Sequence, residues 1–222
     1  MMHISRYIDH TLLKATATEN DILQLCKEAA EYGFYAVCVN SCYVPLCKKS
    51  LAGLDIKIAS VIGFPLGAMS AIAKSEEAKI AVADGAEEVD MVINIGALKS
   101  GKYSEVESEI RLVKQAIGEK TLKVIIETCY LTEEEKKIAT QLSVNAGADF
   151  VKTSTGFGTG GATAEDVLLM RSVTQGKIKI KASGGIRDYE TAKKYIDLGV
   201  TRIGTSNGIQ IITGQKGMAE NY

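Results

Sequence analysis

The sequence is poor in proline, with only Pro45 and Pro65 among its 222 residues. A proline-rich linker is therefore excluded, and no shift in composition divides the chain. The sequence predicts one catalytic domain over residues 1–222, in which about 214–222 form a polar tail.

An excess of one charge is also lacking, since 26 lysines and arginines face 27 aspartates and glutamates. These charges form no basic arm or stripe, which argues against nucleic-acid binding. No apolar run reaches the roughly 18 residues that span a membrane, so no membrane partner is expected. The opening residues carry Asp9 and His10 and lack the apolar region of a signal peptide.

Cysteine and histidine are too few, or too irregular, to form a disulfide framework or a zinc site. The cysteines are an odd set: Cys26, Cys38, Cys42, Cys47 and Cys129. We interpret them as reduced thiols of a cytoplasmic protein. The two histidines, His3 and His10, have no ligand spacing with these cysteines, so no metal or other cofactor is expected.

What the sequence does contain is a repeated alternation of β-branched and amphipathic segments. The predicted strands span residues 8–12, 36–40, 57–62, 88–94, 123–128, 150–154, 178–183 and 202–205. The predicted helices span residues 18–32, 70–83, 103–117, 132–145, 163–173 and 188–198. Repeated strand–helix units imply a parallel α/β sheet, and eight of them predict a closed (β/α)8 TIM barrel. A doubly wound open sheet is the alternative, although it usually has fewer strands.

Titratable residues alternate with apolar ones in four consecutive predicted strands. Alternate residues of a barrel strand face the lumen. This parity places the following side chains inside: Asp90, Glu127, Lys152, Lys179 and Lys181. Lys179 lies deeper and is interpreted as structural, and Glu127 as a partner that orients a lysine. Buried ion pairs that only complete the interior are the alternative.

Lys152 and Lys181 fall near the carboxyl ends of adjacent strands, where barrel enzymes place their chemistry. Neighbouring strands lie about 4.8 Å apart. Two ammonium groups about 5 Å apart repel by roughly 3 kcal/mol at an effective dielectric near 20. This repulsion lowers the pKa of one lysine by about two pH units, and desolvation lowers it further. The resulting free amine can attack a carbonyl and form a Schiff base.

Glycine-containing loops follow the last two predicted strands. Gly184 and Gly185 follow the seventh strand. Gly204 lies near the end of the eighth and Ser206 follows it, before the apolar segment 209–213. Phosphate sits in these loops in many barrels, because glycine lets backbone N–H groups approach the oxyanion. The two loops together predict a phosphate site.

Residues 156–161 match the dinucleotide-binding pattern G-x-G-x-x-G. The pattern follows the sixth predicted strand instead of opening a first βαβ unit, and the next strand ends without the acidic residue that binds ribose. We therefore interpret it as a flexible rim loop beside Lys152.

Longer motifs resemble deoxyribose-phosphate aldolase, a class I aldolase family, from about Ile8 to Ser206. They are IDHTLLKATAT, SVIGFPLG, EEVDMVINIGALKSG around Asp90, VKTSTGFGTGGAT around Lys152, KASGGIR around Lys181, and RIGTS. The resemblance implies reversible cleavage of 2-deoxy-D-ribose 5-phosphate into D-glyceraldehyde 3-phosphate and acetaldehyde, in deoxynucleoside breakdown. It also implies a homo-oligomer, a dimer or a tetramer.

The resemblance also implies a role for individual residues. Lys152 forms the imine, Lys181 perturbs its pKa, and Asp90 transfers a proton through a bound water. Tyr222, the last residue, assists proton exchange from the tail, with a disordered terminus as the alternative. The residues implied to contact the phosphosugar are Thr11, Asn40, Gly156, Gly184, Gly185, Arg187, Gly204 and Ser206.

Two other function classes are left open by the residues themselves. A sugar-phosphate isomerase or epimerase on a TIM barrel would share the phosphate site but would not need Lys181 beside Lys152. A non-catalytic phosphosugar-binding module would tolerate the loss of Lys152. Cys38 and Cys129 could lie near the pocket, but without a histidine partner they are not favoured as nucleophiles.

Overall fold

The fold is a closed barrel of eight parallel strands, seen in a computed structural model that describes residues 4–214. Each strand is hydrogen-bonded to the next in chain order, and the last pairs with the first. The strands are β1 (Ile8–Thr11), β2 (Ala36–Asn40), β3 (Lys57–Ile62), β4 (Glu88–Val92), β5 (Thr121–Ile125), β6 (Phe150–Lys152), β7 (Lys179–Ser183) and β8 (Arg202–Thr205). The predicted (β/α)8 barrel is confirmed, and the open-sheet alternative is wrong.

Helices surround the barrel in the described part of the chain. They are α1 (Glu19–Tyr32), α2 (Val44–Ser50), α3 (Ala71–Asp84), α4 (Ile95–Lys99), α5 (Tyr103–Ile117), α6 (Glu133–Asn145), α7 (Ala164–Thr174), α8 (Tyr189–Asp197) and α9 (Gly208–Thr213). Thr18 and Thr132 cap α1 and α6 in capping boxes. No helix within residues 4–214 is long and apolar enough to cross a membrane.

Three strands end two or three residues earlier than predicted. β4 ends at Val92, β5 at Ile125 and β6 at Lys152. Beyond β5 the backbone turns through Glu127, which has a left-handed φ of +53°, into a short 3-10 turn over Thr128–Tyr130. The residues directly after these strands still donate to the neighbouring strand, Ile93 to Ile125 and Ile126 to Lys152, so the barrel mouth begins at Glu127 on this side.

The apolar core lies between the barrel wall and the helices. Strand side chains such as Val89, Met91, Val124 and Ile180 belong to this large buried cluster. The lumen is different, because it is filled by buried charged groups. These are Asp9, Glu88, Asp90, Lys123, Lys152, Lys181 and Arg202, each at most 5% exposed; we call them the barrel network.

Candidate active site

The carboxylate of Asp90, on β4, binds three lysines inside the barrel. Its Oδ2 accepts hydrogen bonds from the Nζ atoms of Lys152 and Lys181, each at 2.8 Å. Its Oδ1 accepts one from Lys123 at 2.7 Å. The structure thus brings Asp90, Lys152 and Lys181 together, as the strand alternation predicts.

Strand register explains why these side chains meet. Lys152 and Lys181 are aligned on β6 and β7, and Asp90 is aligned with Lys123 on β4 and β5. Aligned residues of neighbouring parallel strands point to the same face of the wall, here the lumen.

The other half of the barrel network was not identified from the sequence. Asp9 Oδ2 lies 2.5 Å from Lys181 Nζ, and Asp9 Oδ1 lies 2.9 Å from Arg202 Nη1. Glu88 Oε2 lies 2.9 Å from Arg202 Nη1 and 2.5 Å from Lys123 Nζ. These contacts join β1, β4, β5, β7 and β8 across the lumen.

The two site lysines differ in proton affinity. Burial is the main cause that lowers the pKa of Lys152; the charge of Lys181 acts in the same direction, while Asp90 opposes both. Burial also favours the neutral form of Lys181, but Asp9 and Asp90 outweigh it, so the pKa of Lys181 is raised. Lys152 is thereby favoured as the free amine and Lys181 as the ammonium.

This balance corrects the order of causes in the sequence argument. The sequence predicts that repulsion between the two lysines lowers the pKa more than desolvation does. In the structure desolvation has the larger effect on the pKa of Lys152, since the anionic Asp90 lies between the two amines. Asp90 itself is a carboxylate: burial alone would raise its pKa, but Lys123, Lys152 and Lys181 hold it well below the usual range.

Glu127 lies at the mouth, past the end of β5, instead of within the strand as predicted. Its carboxylate accepts hydrogen bonds from the backbone N–H of Thr155 at 3.1 Å, from the Thr155 hydroxyl, and from Cys129 Sγ at 3.9 Å. These partners replace the lysine that the sequence predicts. Burial raises the pKa of Glu127. The residue ties the start of the rim loop to the end of β5.

Lys179 is exposed at the start of β7, where its Nζ lies 5.5 Å from the centre of the Phe150 ring. It sits at the amino-terminal end of the barrel, so the prediction that it belongs to the charged interior is wrong. Cys38 lies within β2. Burial raises the pKa of Cys38, and the charges that act on it are those of Lys181, Asp90 and Lys152, so a neutral thiol faces the site.

The loop after β7 approaches the rim loop closely. Gly184 and Gly185 have φ values of +83° and +77°, which favour glycine. A Cβ on Gly184 would lie 2.9 Å from the Cα of Gly161, and one on Gly161 would lie 2.3 Å from the carbonyl oxygen of Gly184. Glycine at both positions therefore permits this contact of two backbones.

Gly204, near the end of β8, faces the same region. A Cβ there would lie 2.4 Å from Ser183 Oγ and 3.1 Å from Lys181 Cε. Within residues 4–214 the buried hydroxyls of Ser154 and Ser183 have no hydrogen-bond partner. The loops after β6, β7 and β8 thus offer polar groups at the mouth, above Lys181.

Thr11 and Ser206 line one cavity of about 400 Å³ between β1, β8 and α1. The Thr11 hydroxyl donates to the carbonyl of Asp9 at 2.8 Å. Asn40 ends β2 and donates to the carbonyl of Leu13 at 3.4 Å. The structure therefore places all of them at the carboxyl ends of their strands.

Gly156 and Arg187, two further predicted site residues, lie in the loops after β6 and β7. Gly156 opens the rim loop with a φ of +91°, and Arg187 is half-buried just before α8. Tyr222 lies outside the described residues. Among residues 4–214 no three His, Cys, Asp or Glu side chains are grouped as ligands for a metal ion.

Comparisons with known proteins connect this geometry to one group of enzymes. The family model described as DeoC/LacD family aldolase matches residues 4–214. Deoxyribose-phosphate aldolase of Brevibacillus brevis is 55% identical over 221 residues, which is 100% of both chains. The enzyme of the same name from Thermococcus gammatolerans is 58% identical over 219 residues, 97% of each chain.

A solved structure is similar over most of the barrel. It is described as the unique tetrameric structure of deoxyribose phosphate aldolase from Aeropyrum pernix, with a TM-score of 0.86 and 33% identity. The match covers 95% of this chain and 90% of that one. The resemblance drawn from the sequence motifs is thereby confirmed.

Proposed function

Because this chain belongs to the DeoC/LacD aldolase family and is a carbon–carbon lyase, we propose that it reversibly cleaves 2-deoxy-D-ribose 5-phosphate. The products are D-glyceraldehyde 3-phosphate and acetaldehyde, in deoxynucleoside breakdown. The relatives' names support the substrate class. The observation that carries the mechanism is the contact of Lys152 and Lys181 with one oxygen of Asp90, each at 2.8 Å.

Lys152 is the nucleophile in this proposal. Its free amine attacks the C1 aldehyde carbon of the open-chain sugar, and loss of water gives a protonated imine. The imine then accepts the electron pair of the C2–C3 bond and becomes an enamine. The C3 hydroxyl loses its proton, and C3 becomes the aldehyde carbon of D-glyceraldehyde 3-phosphate. Protonation of the enamine at C2 and hydrolysis of the imine release acetaldehyde and restore Lys152.

Asp90 and Lys181 serve the proton transfers. Asp90 is held as a carboxylate by its lysines, so it suits the role of orienting a water that accepts or returns a proton. Lys181 keeps its proton because Asp9 and Asp90 both contact it at 2.8 Å or less, so it suits the role of donor. Tyr222 is proposed as a further proton-exchange group carried by the tail.

The mouth supplies the phosphate site in this proposal. Backbone N–H groups at Gly184, Gly185 and Gly204 can approach an oxyanion closely, as glycine permits, and Arg187 adds positive charge. Thr11, Asn40, Gly156 and Ser206 are proposed to contact the sugar. The unpartnered hydroxyl of Ser183 supports a polar ligand in this place.

Borohydride trapping tests the proposal. The enzyme is reduced in the presence of 2-deoxy-D-ribose 5-phosphate, and the adduct is located by peptide mass mapping. We expect an adduct on Lys152, retained in a Lys179→Met control and lost in Lys152→Met. No adduct, or an adduct on another lysine, would contradict the mechanism. Release of D-glyceraldehyde 3-phosphate distinguishes a lyase from an isomerase, an epimerase or a binding module.

We also propose that the chain is a single cytoplasmic catalytic domain that forms a dimer or a tetramer. The tetrameric relative from Aeropyrum pernix supports an oligomer. So do three apolar side chains near and on α3, Leu66, Ile72 and Ile80, which are 75%, 71% and 60% exposed. Light scattering of the purified chain tests this: a mass of two or four chains is expected, and a monomer at micromolar concentration would contradict it.

A further inference from the structure

The barrel network holds an odd number of charged groups. Its anions are Asp9, Glu88 and Asp90, and its cations are Lys123, Lys152, Lys181 and Arg202. Full ionisation of these seven groups would leave one uncompensated positive charge within the network, whose members are each at most 5% exposed. Since an unpaired buried charge is costly, the network is balanced when one of its cations gives up a proton.

Contacts within the network identify that cation. Lys123 contacts Glu88 and Asp90, each within 2.7 Å. Lys181 contacts Asp9 and Asp90, and Arg202 contacts Asp9 and Glu88. In the described residues Lys152 is the network cation with a single carboxylate partner, Asp90, at 2.8 Å. Lys152 therefore loses least when it becomes neutral.

Glu88 and Lys123 contribute to the charge balance of the network from deep in the barrel, below the mouth where the substrate is proposed to bind. Glu88 begins β4, and Lys123 is aligned with Asp90 in the middle of β5. Arg202 closes the network beneath them, with its guanidinium 3.6 Å from the centre of the Tyr35 ring. Both residues thus lie deeper in the barrel than the mouth loops.

We propose that Glu88 and Lys123 are positioning residues that set the charge count of the barrel network, so that Lys152 is its one uncharged amine. The inference rests on the proposed imine at Lys152 and deepens it. The lowered pKa of Lys152 agrees with it. The effect passes through Asp90, because Lys123 and Lys152 bind opposite oxygens of that carboxylate.

Other titratable groups face Lys152 and must stay unchanged in a test. Asp90 comes from β4 and Lys181 from β7. Cys38 comes from β2 as a neutral thiol, and its pKa is raised by burial. Glu127, past β5, is not one of the seven network groups: Thr155 engages it, and burial raises its pKa, which favours its neutral form. Substitutions at positions 88 and 123 alter none of these side chains.

The test measures the rate of trapped-adduct formation at Lys152 against pH, with 2-deoxy-D-ribose 5-phosphate and borohydride. Lys123→Met removes a cation, so a charged Lys152 now balances the three anions. The acid limb of the profile should move up by about one pH unit or more, a roughly tenfold lower rate at a given pH on the limb. The rate should recover at high pH.

Glu88→Gln changes the count in the opposite direction. It removes an anion, so the free amine of Lys152 is favoured further, and the limb should move down by a similar amount. The double variant Glu88→Gln with Lys123→Met removes one charge of each sign. Its limb should return to the wild-type position. The two opposite shifts of the acid limb cancel only if the charge balance sets the pKa of Lys152. If Glu88 and Lys123 had a purely structural role, the double variant would not recover the wild-type profile.

Lys74→Met is the matched control. Lys74 is equally buried and ion-paired, with its Nζ 2.7 Å from Glu109 Oε1, but it lies on α3 outside the lumen. Its removal should leave the limb in place, whatever it does to stability. If Lys123→Met does not fold, the downward shift expected for Glu88→Gln still decides the question.

Two results would overturn the inference: single variants that lower the rate equally at every pH, or a double variant further from wild type than either single one. Failure of the proposed function is a different result, because the wild-type enzyme would then form no adduct at Lys152.

Discussion

Asp9 Oδ2 lies 2.5 Å from Lys181 Nζ, which joins the first strand to the seventh across the lumen. The same carboxylate reaches Arg202 through its other oxygen at 2.9 Å. Asp9 therefore anchors Lys181, the lysine next to Lys152 in the site.

Asp9→Asn should destabilise the fold, because it leaves Lys181 and Arg202 short of a buried counter-charge. Breaking a buried pair typically costs about 3–5 kcal/mol. The free energy of unfolding measured with denaturant should fall by that order at neutral pH. As a control, Asp55→Asn removes the partner of Arg6 in an exposed pair, and its cost should stay below about 1 kcal/mol.

The acid dependence of stability has a sign that follows from the pKa of Asp9. Burial alone would raise this pKa, but the charges of Lys181 and Arg202 outweigh it and lower it. The stabilisation is therefore present above the unfolded pKa of about 4 and is lost as the pH falls through the folded value. Asp9→Asn should flatten this part of the stability profile, and an unchanged acid slope would contradict the assignment.

Lys181→Leu should slow imine formation near neutral pH by about 100-fold or more. Without Lys181, Asp9 and Asp90 each lose one of their cationic partners, so the pKa of Lys152 rises and its free amine becomes scarce. Part of the rate should return at high pH. Single-turnover trapping at several pH values measures this, with the exposed Lys179→Leu on the same strand as control. An unchanged rate would remove Lys181 from the mechanism.

Glu127→Ala should weaken substrate binding more than it slows chemistry. The substitution frees the backbone N–H of Thr155, which the carboxylate holds at 3.1 Å, and so releases the rim loop. We expect KM for the phosphosugar to rise by about tenfold with a smaller change in kcat. Glu127→Gln keeps an acceptor oxygen and should be milder. Equal effects of the two variants would argue against the tether.

Gly204→Ala should impair both binding and catalysis. The added methyl would lie 2.4 Å from Ser183 Oγ and 3.1 Å from Lys181 Cε, so it displaces a mouth hydroxyl and a site lysine together. We expect kcat/KM to fall by about 100-fold. Gly96→Ala is the matched control, since the nearest atom to its Cβ lies at 3.5 Å. A near-normal Gly204→Ala enzyme would show that the contact relaxes freely.

The strand alternation was enough to predict which lysines meet inside the barrel. The period of two applies to any barrel strand, and it placed Lys152 and Lys181 correctly. The same period also reaches Glu88, two residues before Asp90, and Lys123, four residues before Glu127. Asp9 lies two residues before Thr11. These three residues lie below the carboxyl ends of the strands, where barrel enzymes place their chemistry, so that rule does not point to them.

Other features lay beyond sequence periodicity. Glu127 has a left-handed backbone, which follows the early end of the strand and directs its carboxylate to Thr155. A glutamate at this position does not predict a left-handed backbone. Lys179 has the same strand parity as Lys181, yet it is exposed to solvent. A period of two predicts which side of the wall a residue faces, but not how deep it lies along the barrel axis. Asp90 contacts both lysines because of distances across the lumen, which a strand period does not give. This contact is also why burial, and not repulsion from Lys181, is the main cause of the lowered pKa of Lys152.

The buried surroundings of Lys152 favour its free amine. Competitive amine labelling over a range of pH, read by peptide mass mapping, measures the titration of Lys152 directly. We expect a midpoint well below the ordinary lysine value of about 10.4, because burial lowers the pKa of this group. A midpoint at or above that value would contradict it.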